Sequence, residues 1–363
     1  MDILITILSV SAISTILAVL IIISERIFNN YGNVIIDIND GTKTLEVEGG
    51  SNLLSTLSGQ KIFIPSACGG KATCGVCKLQ VLDGGGELLP TEEPFLSPEE
   101  KKDDVRLSCQ LKVKQNLKIK IPEEFFLVKE YKTIIEGISD MTHDIKEFRF
   151  ALPEEIKFKA GQYVQVKTKP YGKIKESVFR AYSISSVPSD NKAVELIIRR
   201  VPNGLCTTYM HDHVKEGEEV MITGPYGDFY ARDDAEEYVM IAGGSGLAPI
   251  KSIVEDVLEK GLDTKMIFFF GAVSKKDLYY VEYFKKLDEK YDQFSYVPAL
   301  SNPTEQDNWT GEIGLITDVV AKYIENGDGK QGYLCGSPGM INACISVLTE
   351  KGIDESLIFY DKF

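Results

Sequence analysis

Apolar and polar positions follow different periods in successive parts of the chain, and each period predicts a different kind of element. From Ile3 to Ile23 no charged residue interrupts the apolar run. A helix rises about 1.5 Å per residue, so such a run matches the roughly 30 Å hydrocarbon layer of a bilayer. One transmembrane helix is expected, and SERIFNN follows it where a cleaved leader would carry small residues. Asp2 before the run and Arg26 after it, although Glu25 adjoins Arg26, favour a cytoplasmic body. After a polar linker at 24–32, Val34, Ile36 and Ile38 alternate with polar neighbours, Asn39-Asp40-Gly41 turns, and 44–47 resumes, which predicts a hairpin. An apolar helical patch at Leu53, Leu54 and Leu57, with strands at 76–82 and 117–121, completes a small α+β domain.

From Val128 to about Tyr230 the pattern changes to short β-rich runs, at 131–136, 147–151, 163–167, 194–199 and 219–222, punctuated by Gly and Pro. That predicts an antiparallel barrel, closed by the turn Gly224-Pro225-Tyr226-Gly227. Beyond Ala235 the strands become continuously apolar (YVMIA, MIFFFGA, FSYVPAL, GYLCG, LIFY) and alternate with amphipathic helices such as 249–260. Continuous apolar strands between helices mean a parallel sheet covered on both faces. The expected division is a transmembrane anchor at 1–26, an α+β domain at 33–122, a barrel at 128–231 and an α/β domain at 235–363.

Composition narrows the partners. A formal net charge of -14 opposes a general affinity for nucleic acid, which needs clustered Lys and Arg. Four of seven cysteines crowd into 68–109, while Cys206, Cys335 and Cys344 lie far away, a pattern of a metal site in a reducing compartment. Only three histidines are present, and His211 and His213 read as residues of a polar loop or helix end.

The string CGGKATCGVC at 68–77, followed by Cys109 in RLSCQL, separates four thiols by five, two and thirty-one residues. Thiolates donate charge to a soft metal centre, and Gly69, Gly70 and Gly75 let backbone N–H groups approach cluster sulfurs. Structural zinc also accepts four cysteines but usually pairs two C-x-x-C knuckles, and this chain has one. SACGG, CGVCK and LSCQ resemble the ferredoxin-like domain found in the F subunits of sodium-translocating NADH:quinone oxidoreductases. The resemblance implies a β-grasp fold for 33–122 and a [2Fe-2S] cluster on Cys68, Cys74, Cys77 and Cys109.

RAYS at 180–183 sends Arg180 and Tyr182 to one side of a strand, where a cation and an aromatic ring suit phosphate and a flat ring. It resembles the R-x-Y-[ST] of the ferredoxin:NADP reductase superfamily. That implies Arg180 on the FAD pyrophosphate, Tyr182 stacked on isoalloxazine and Ser183 near flavin N5. GLCTTY at 204–209 opens a helix with a glycine and hydroxyls, which suits an anion; the resemblance implies that Gly204, Thr207 and Thr208 belong to the second flavin phosphate loop. YVMIA runs into GGSGLAP, placing Gly243, Gly244, Gly246 and Pro249 at a tight turn that a nucleotide can approach. CGSP follows at 335–338, and the resemblance puts Cys335 near the nicotinamide C4, with Gly336 beside it. Phe363 aligns with an aromatic residue near the family's C-terminus, which implies that it covers the flavin face. GAVSKKDLYYVEYF at 271–284 and DNWTGEIG at 307–314 extend the likeness over nearly the whole chain. Lys275 and Lys276 are read as solvated, and NADH is expected over NADPH.

The expected activity is that of a single-pass protein of the cell inner (cytoplasmic) membrane with its catalytic domains on the cytoplasmic side. It takes hydride from NADH onto FAD and passes single electrons through the cluster to membrane-embedded partner subunits or quinone. The segment between Pro170 and Arg180 and the RRVPNG loop are shorter than in the family, so a shorter relative is expected, with any sodium transport left to partners. The alternative is the reductase component of a multicomponent oxygenase, which normally lacks an anchor. A third reading is an anchored electron carrier or zinc-binding adaptor.

Overall fold

In the computed structural model, residues 2–28, 31–232 and 234–362 are described. The expected site residue Phe363 lies outside them. The chain divides into two compact units, 1–128 and 129–363.

The first unit opens with α1 (Asp2–Phe28). Its side chains are described at 7, 8 and 10–21, and the large apolar ones, from Val19 at 48% to Leu8 at 62%, are exposed. Among the described residues no helix is long and apolar enough to cross a membrane; the side chains of the expected span at 3–6, 9, 22 and 23 lie outside them. The expected hairpin forms from β1 (Asn33–Ile38) and β2 (Lys43–Glu48), with Val34 opposite Val47. α2 (Leu53–Gly59) starts at Asn52, whose side chain accepts from the Ser55 N–H at 2.8 Å, and it buries Leu53, Leu54 and Leu57. β3 (Lys78–Asp83), the short α3 (Pro98–Lys102), β4 (Val105–Leu107) and β5 (Leu117–Lys120) follow. The five strands lie in the order β2-β1-β5-β3-β4, with β1 and β5 parallel.

The second unit contains two six-stranded sheets. The first is antiparallel: β6 (Lys129–Asp140), β7 (Ile145–Ala151), β8 (Tyr163–Lys167), β9 (Phe179–Ser183), β10 (Ala193–Arg199) and β11 (Glu219–Tyr226), in the order β10-β7-β6-β11-β8-β9. Its two ends meet through a bridge between Ile184 and Leu196, which closes the sheet around Phe148, Phe150, Val164 and Ile222. The four-residue helix α4 (Leu205–Thr208) continues into one wide helical turn at 209–213. The expected turn at Gly224-Pro225-Tyr226-Gly227 is instead mostly strand: β11 runs through Tyr226 with a register shift against β8 after Thr223.

The last sheet is parallel, in the order β15-β14-β13-β12-β16-β17. It comprises β12 (Glu237–Gly243), β13 (Lys265–Ala272), β14 (Phe294–Leu300), β15 (Glu312–Ile313), β16 (Lys330–Gly336) and β17 (Ile358–Lys362). α5 (Leu247–Glu259), α6 (Val281–Lys290), α7 (Ile316–Tyr323) and α8 (Pro338–Glu350) connect its strands. Separate apolar clusters cover its two faces, one around Met240, Phe268 and Ile253, the other around Val239, Phe269 and Leu348. That accounts for the unbroken apolar runs, since a strand covered on both faces has no polar side.

Candidate redox site

The cysteine loop lies between α2 and β3, and Cys109 follows β4. All four cysteines are free thiols, and their hydrogen bonds join them in two pairs, Cys68 with Cys74 and Cys77 with Cys109. Burial works to raise the Cys68 thiol. Hydrogen bonds from the Thr73 N–H and hydroxyl, the Cys74 thiol and the Lys71 N–H, the last at 3.3 Å, outweigh it and bring Cys68 to about 7. The Cys77 thiol donates to Cys109 and, with the Gln110 amide and the Ala72 N–H, brings Cys109 down to about 6. Cys77 is pushed up by making that bond and then by burial, and Cys74 chiefly by burial. Ala72 holds a left-handed backbone, φ 54°, while its N–H serves Cys109.

These donors suit thiolates, and the pairing bears on the metal. Among the described residues no three His, Cys, Asp or Glu side chains gather around one point. A binuclear cluster takes two thiolates per iron, which is compatible with thiols held in two pairs. Gly75, at φ 68°, is required for close approach, because a Cβ there would lie 2.8 Å from Phe95.

The arrangement rests on a buried ion pair that no sequence motif marks. Arg106 donates from Nε and Nη2 to Glu92 at 3.0 and 2.6 Å, and from Nη1 to the Gly85 carbonyl at 2.8 Å. Glu92 also accepts from the Leu107 N–H at 2.8 Å, two residues before Cys109. The Ser108 hydroxyl and N–H both donate to the Cys77 carbonyl at 2.9 Å, which sets the second thiol pair side by side. Arg106 and Glu92 are hidden in sequence because each looks like an ordinary surface charge.

On β9, Arg180 is half-buried and donates to the Phe179 carbonyl at 2.7 Å. Among the described residues no carboxylate pairs with it, which leaves its charge available to an anion. Tyr182 Oη is buried against the Cys206 thiol, and burial first, then Cys206, pushes the phenol well up. Ser183 stands opposite Tyr163 across β8. Gly204 precedes α4, and a Cβ there would lie 2.5 Å from Thr207 Oγ1. The Thr207 hydroxyl accepts from the Val201 N–H at 3.2 Å and donates towards the Gly204 carbonyl, also at 3.2 Å. It shapes the loop, while Thr208 contributes the next helical N–H, bonded to Gly204 O at 2.9 Å. His211 meets the Ile198 carbonyl and His213 packs against Tyr171.

Gly243 ends β12, Gly244 takes φ 58°, and a short turn at 244–246 leads into α5, which buries Pro249. Gly246 is demanded by packing, since a Cβ would sit 2.1 Å from the Cys335 carbonyl. Gly243 and Gly336 both make room for Met340, at 2.8 and 2.7 Å, a residue that carries no signal in the sequence. The structure therefore brings Gly243, Gly246, Cys335 and Gly336 together. Cys335 is 0% exposed, and burial, then the nearby Asp361, holds it as a neutral thiol. A cavity of about 670 Å³ lies between Tyr163, Gly227 and Arg232 on the barrel side and Ile358, Tyr360 and Asp361 on β17. Tyr163, which lines it, is the strand partner of Ser183.

Residues 36–114 match the family described as 2Fe-2S iron-sulfur cluster binding domain, 132–230 the oxidoreductase FAD-binding domain, and 240–345 the oxidoreductase NAD-binding domain. The chain is 35% identical to the F subunit of the Na(+)-translocating NADH-quinone reductase of Mannheimia succiniciproducens, over 97% of each chain. It is 34% identical to that of Neisseria gonorrhoeae over 100% of each. The first alignment runs to 396 positions for a chain of 363 residues, which accommodates segments that this chain lacks. Among solved structures, a cytochrome P450 reductase of Amycolatopsis matches with a TM-score of 0.74 at 28% identity, covering 91% of this chain and 98% of that one. A ferredoxin reductase of carbazole 1,9a-dioxygenase matches in fold, with a TM-score of 0.70 at 24% identity, over 92% of this chain and 98% of that one. The chain has the multi-domain ferredoxin-reductase fold of a flavin- and iron-sulfur-dependent oxidoreductase, and its cofactors are FAD, a [2Fe-2S] cluster and NADH.

Proposed function

The chain belongs to the family of F subunits of Na(+)-translocating NADH-quinone reductases, and from that premise we propose that it is the membrane-anchored NADH dehydrogenase module of a quinone reductase complex. NADH supplies hydride to FAD, and the flavin, as a carrier of two electrons or one, links that donor to the one-electron cluster. The observation that carries this reading is the gathering of four thiols in two pairs in a chain that also holds flavin and nicotinamide-nucleotide domains.

The protein's part is positioning. Cys68 and Cys74 would hold one iron and Cys77 and Cys109 the other, with the amides of Lys71, Ala72, Thr73 and Val76 stabilising thiolate charge. Arg180 would neutralise the flavin pyrophosphate, and Tyr182 and Ser183 would meet its ring. Gly204, Thr207 and Thr208 form the second phosphate loop. Gly243, Gly244, Gly246 and Pro249 would shape the nucleotide turn, with Cys335 and Gly336 towards its nicotinamide end. Cys335, buried and neutral, limits the room around the ring and exchanges no proton. NADH is favoured over NADPH because Lys275 donates to the Asp307 carbonyl at 2.9 Å, and Asp277, capping Ser274 at 2.7 Å, repels a 2'-phosphate.

α1 is assigned as a single-pass anchor in the cell inner membrane, with 33–122, 128–231 and 235–363 as the cluster, FAD and NADH domains on the cytoplasmic side. Its exposed apolar residues otherwise face water at large cost. The oxygenase-reductase alternative gives this helix no task. Deleting residues 1–26 tests the assignment: truncated and full-length protein should oxidise NADH equally with ferricyanide. On membranes stripped of the native protein, the truncated form at nanomolar concentration should lose most quinone-dependent oxidation, because tethering raises effective concentration without adding a contact. Equal membrane rates would point to a soluble acceptor.

A further inference from the structure

Between β13 and α6, two adjacent tyrosines make hydrogen bonds to different parts of the second unit. Tyr279, buried against Phe270, donates its hydroxyl to the Gly244 carbonyl at 2.8 Å. Tyr280 donates to Glu147 Oε2 at 2.7 Å, on β7 of the flavin barrel. Tyr280 holds a left-handed backbone, φ 59°, a conformation an aromatic residue keeps only when its surroundings enforce it.

Those surroundings are a buried polar cluster. Lys251, on α5 and 5% exposed, donates to the Ser185 carbonyl at 3.2 Å and pairs with Glu195 at 3.4 Å and Glu255 at 3.2 Å. Ser185 Oγ reaches Glu147 at 3.4 Å, Tyr283 donates to Glu255 at 2.6 Å, and Arg149 binds Glu195 at 3.0 Å. Such a cluster is poor evidence for added stability, since an apolar replacement of the same shape often serves as well. What it does provide is one geometry, because each donor has few acceptors within reach.

The geometry leads to the nucleotide turn. A peptide unit is planar, with its C=O and N–H pointing in opposite directions. A hydroxyl that fixes the Gly244 carbonyl therefore also fixes the direction of the Ser245 N–H at the head of the turn. Gly244, at φ 58° and without a side chain, also accepts from the Leu247 N–H within the turn, so the Tyr279 hydroxyl is a second donor on that carbonyl and holds the plane from outside the turn.

We propose that Tyr279 and Tyr280 are positioning residues for NADH: Tyr280, fastened to Glu147 of the flavin barrel, holds Tyr279 in place, and Tyr279 aims the Gly244–Ser245 peptide at the dinucleotide. The position of the nucleotide turn is thereby referenced to the flavin barrel. This inference rests on the reading of 243–249 as the nucleotide turn.

The test uses full-length, FAD-loaded protein and measures NAD+ dissociation constants by calorimetry, with flavin content and melting temperature recorded for each variant. Tyr279→Phe and Glu147→Ala should each weaken NAD+ about fivefold to tenfold, the effect of one hydrogen bond, while flavin content stays at the wild-type level. Glu147→Gln keeps an acceptor for the Tyr280 hydroxyl and should restore most of the affinity. Tyr296→Phe, which removes a buried hydroxyl with no partner, should leave NAD+ binding unchanged. Wild-type affinity in both Tyr279→Phe and Glu147→Ala would overturn the proposal, and so would a lowered melting temperature with unaltered affinity. An equal loss in Glu147→Gln and Glu147→Ala would remove the Tyr280 link. Failure of the wild-type protein to bind NAD+ would overturn the nucleotide-turn reading itself, and this inference with it.

Discussion

Asp361 sits at the end of β17 opposite Cys335, and burial pushes its carboxyl from 3.8 up to about 6. The folded protein thus favours the protonated acid. Its stabilising contribution is complete below about pH 4 and is lost as pH rises through about 6. At pH 8 the ionised group is a liability, so Asp361→Asn should raise the melting temperature by roughly 3 °C there and leave it unchanged at pH 4. Thermal melts at the two pH values decide it; equal shifts at both would mean that ionisation is not what matters. Other residues are legible only in part. Arg180 can be named from RAYS, because a cation beside an aromatic in a strand is a local pattern. That Thr207 is engaged with Val201 and Gly204 cannot, since it depends on how the loop folds back. Met340 escapes for a similar reason: it fills space left by two glycines nearly a hundred residues apart in sequence.

At the scale of elements, strands with a strict period are readable and pieces fixed by distant partners are not. β1 shows its alternation directly, and β12 its continuous burial. The closure of the barrel depends on Ile184 meeting Leu196, which no local pattern reports. Where β11 runs through Gly224 and Pro225, the residues suggest a turn because both punctuate chains so often. The cluster loop depends on the Glu92–Arg106 pair, which ties 85–92 to the strand that delivers Cys109. Breaking a buried pair strands the remaining charge, so Glu92→Ala should cost about 3–5 kcal/mol. Denaturant unfolding of wild type and variant, with cluster absorbance followed in parallel, should show the variant's cluster lost at lower denaturant. A cost under about 1 kcal/mol would show that the pair behaves as a surface bridge.

For the whole molecule, the order of modules along the chain is legible because each has its own hydrophobic period, and the cofactors follow from the motifs set in them. The two-unit division keeps the flavin barrel and the nucleotide sheet together, and the Lys251 cluster supplies a physical reason, joining β7 and β10 to α5 and α6 through buried charges. No sequence pattern announces that cluster, since Glu147, Glu195 and Glu255 lie far apart along the chain and belong to no motif. On the proposed function, electrons from NADH pass through the flavin domain to a cluster on the four paired cysteines. The most direct measurement mixes NADH anaerobically with wild-type protein and with Cys74→Ala, and follows flavin absorbance and the EPR spectrum of the frozen samples. Flavin should bleach in both proteins, and a reduced-cluster signal should appear in the wild type alone. A wild-type flavin that bleaches while the cluster stays oxidised, or a Cys74→Ala protein that keeps the full cluster signal, would contradict it.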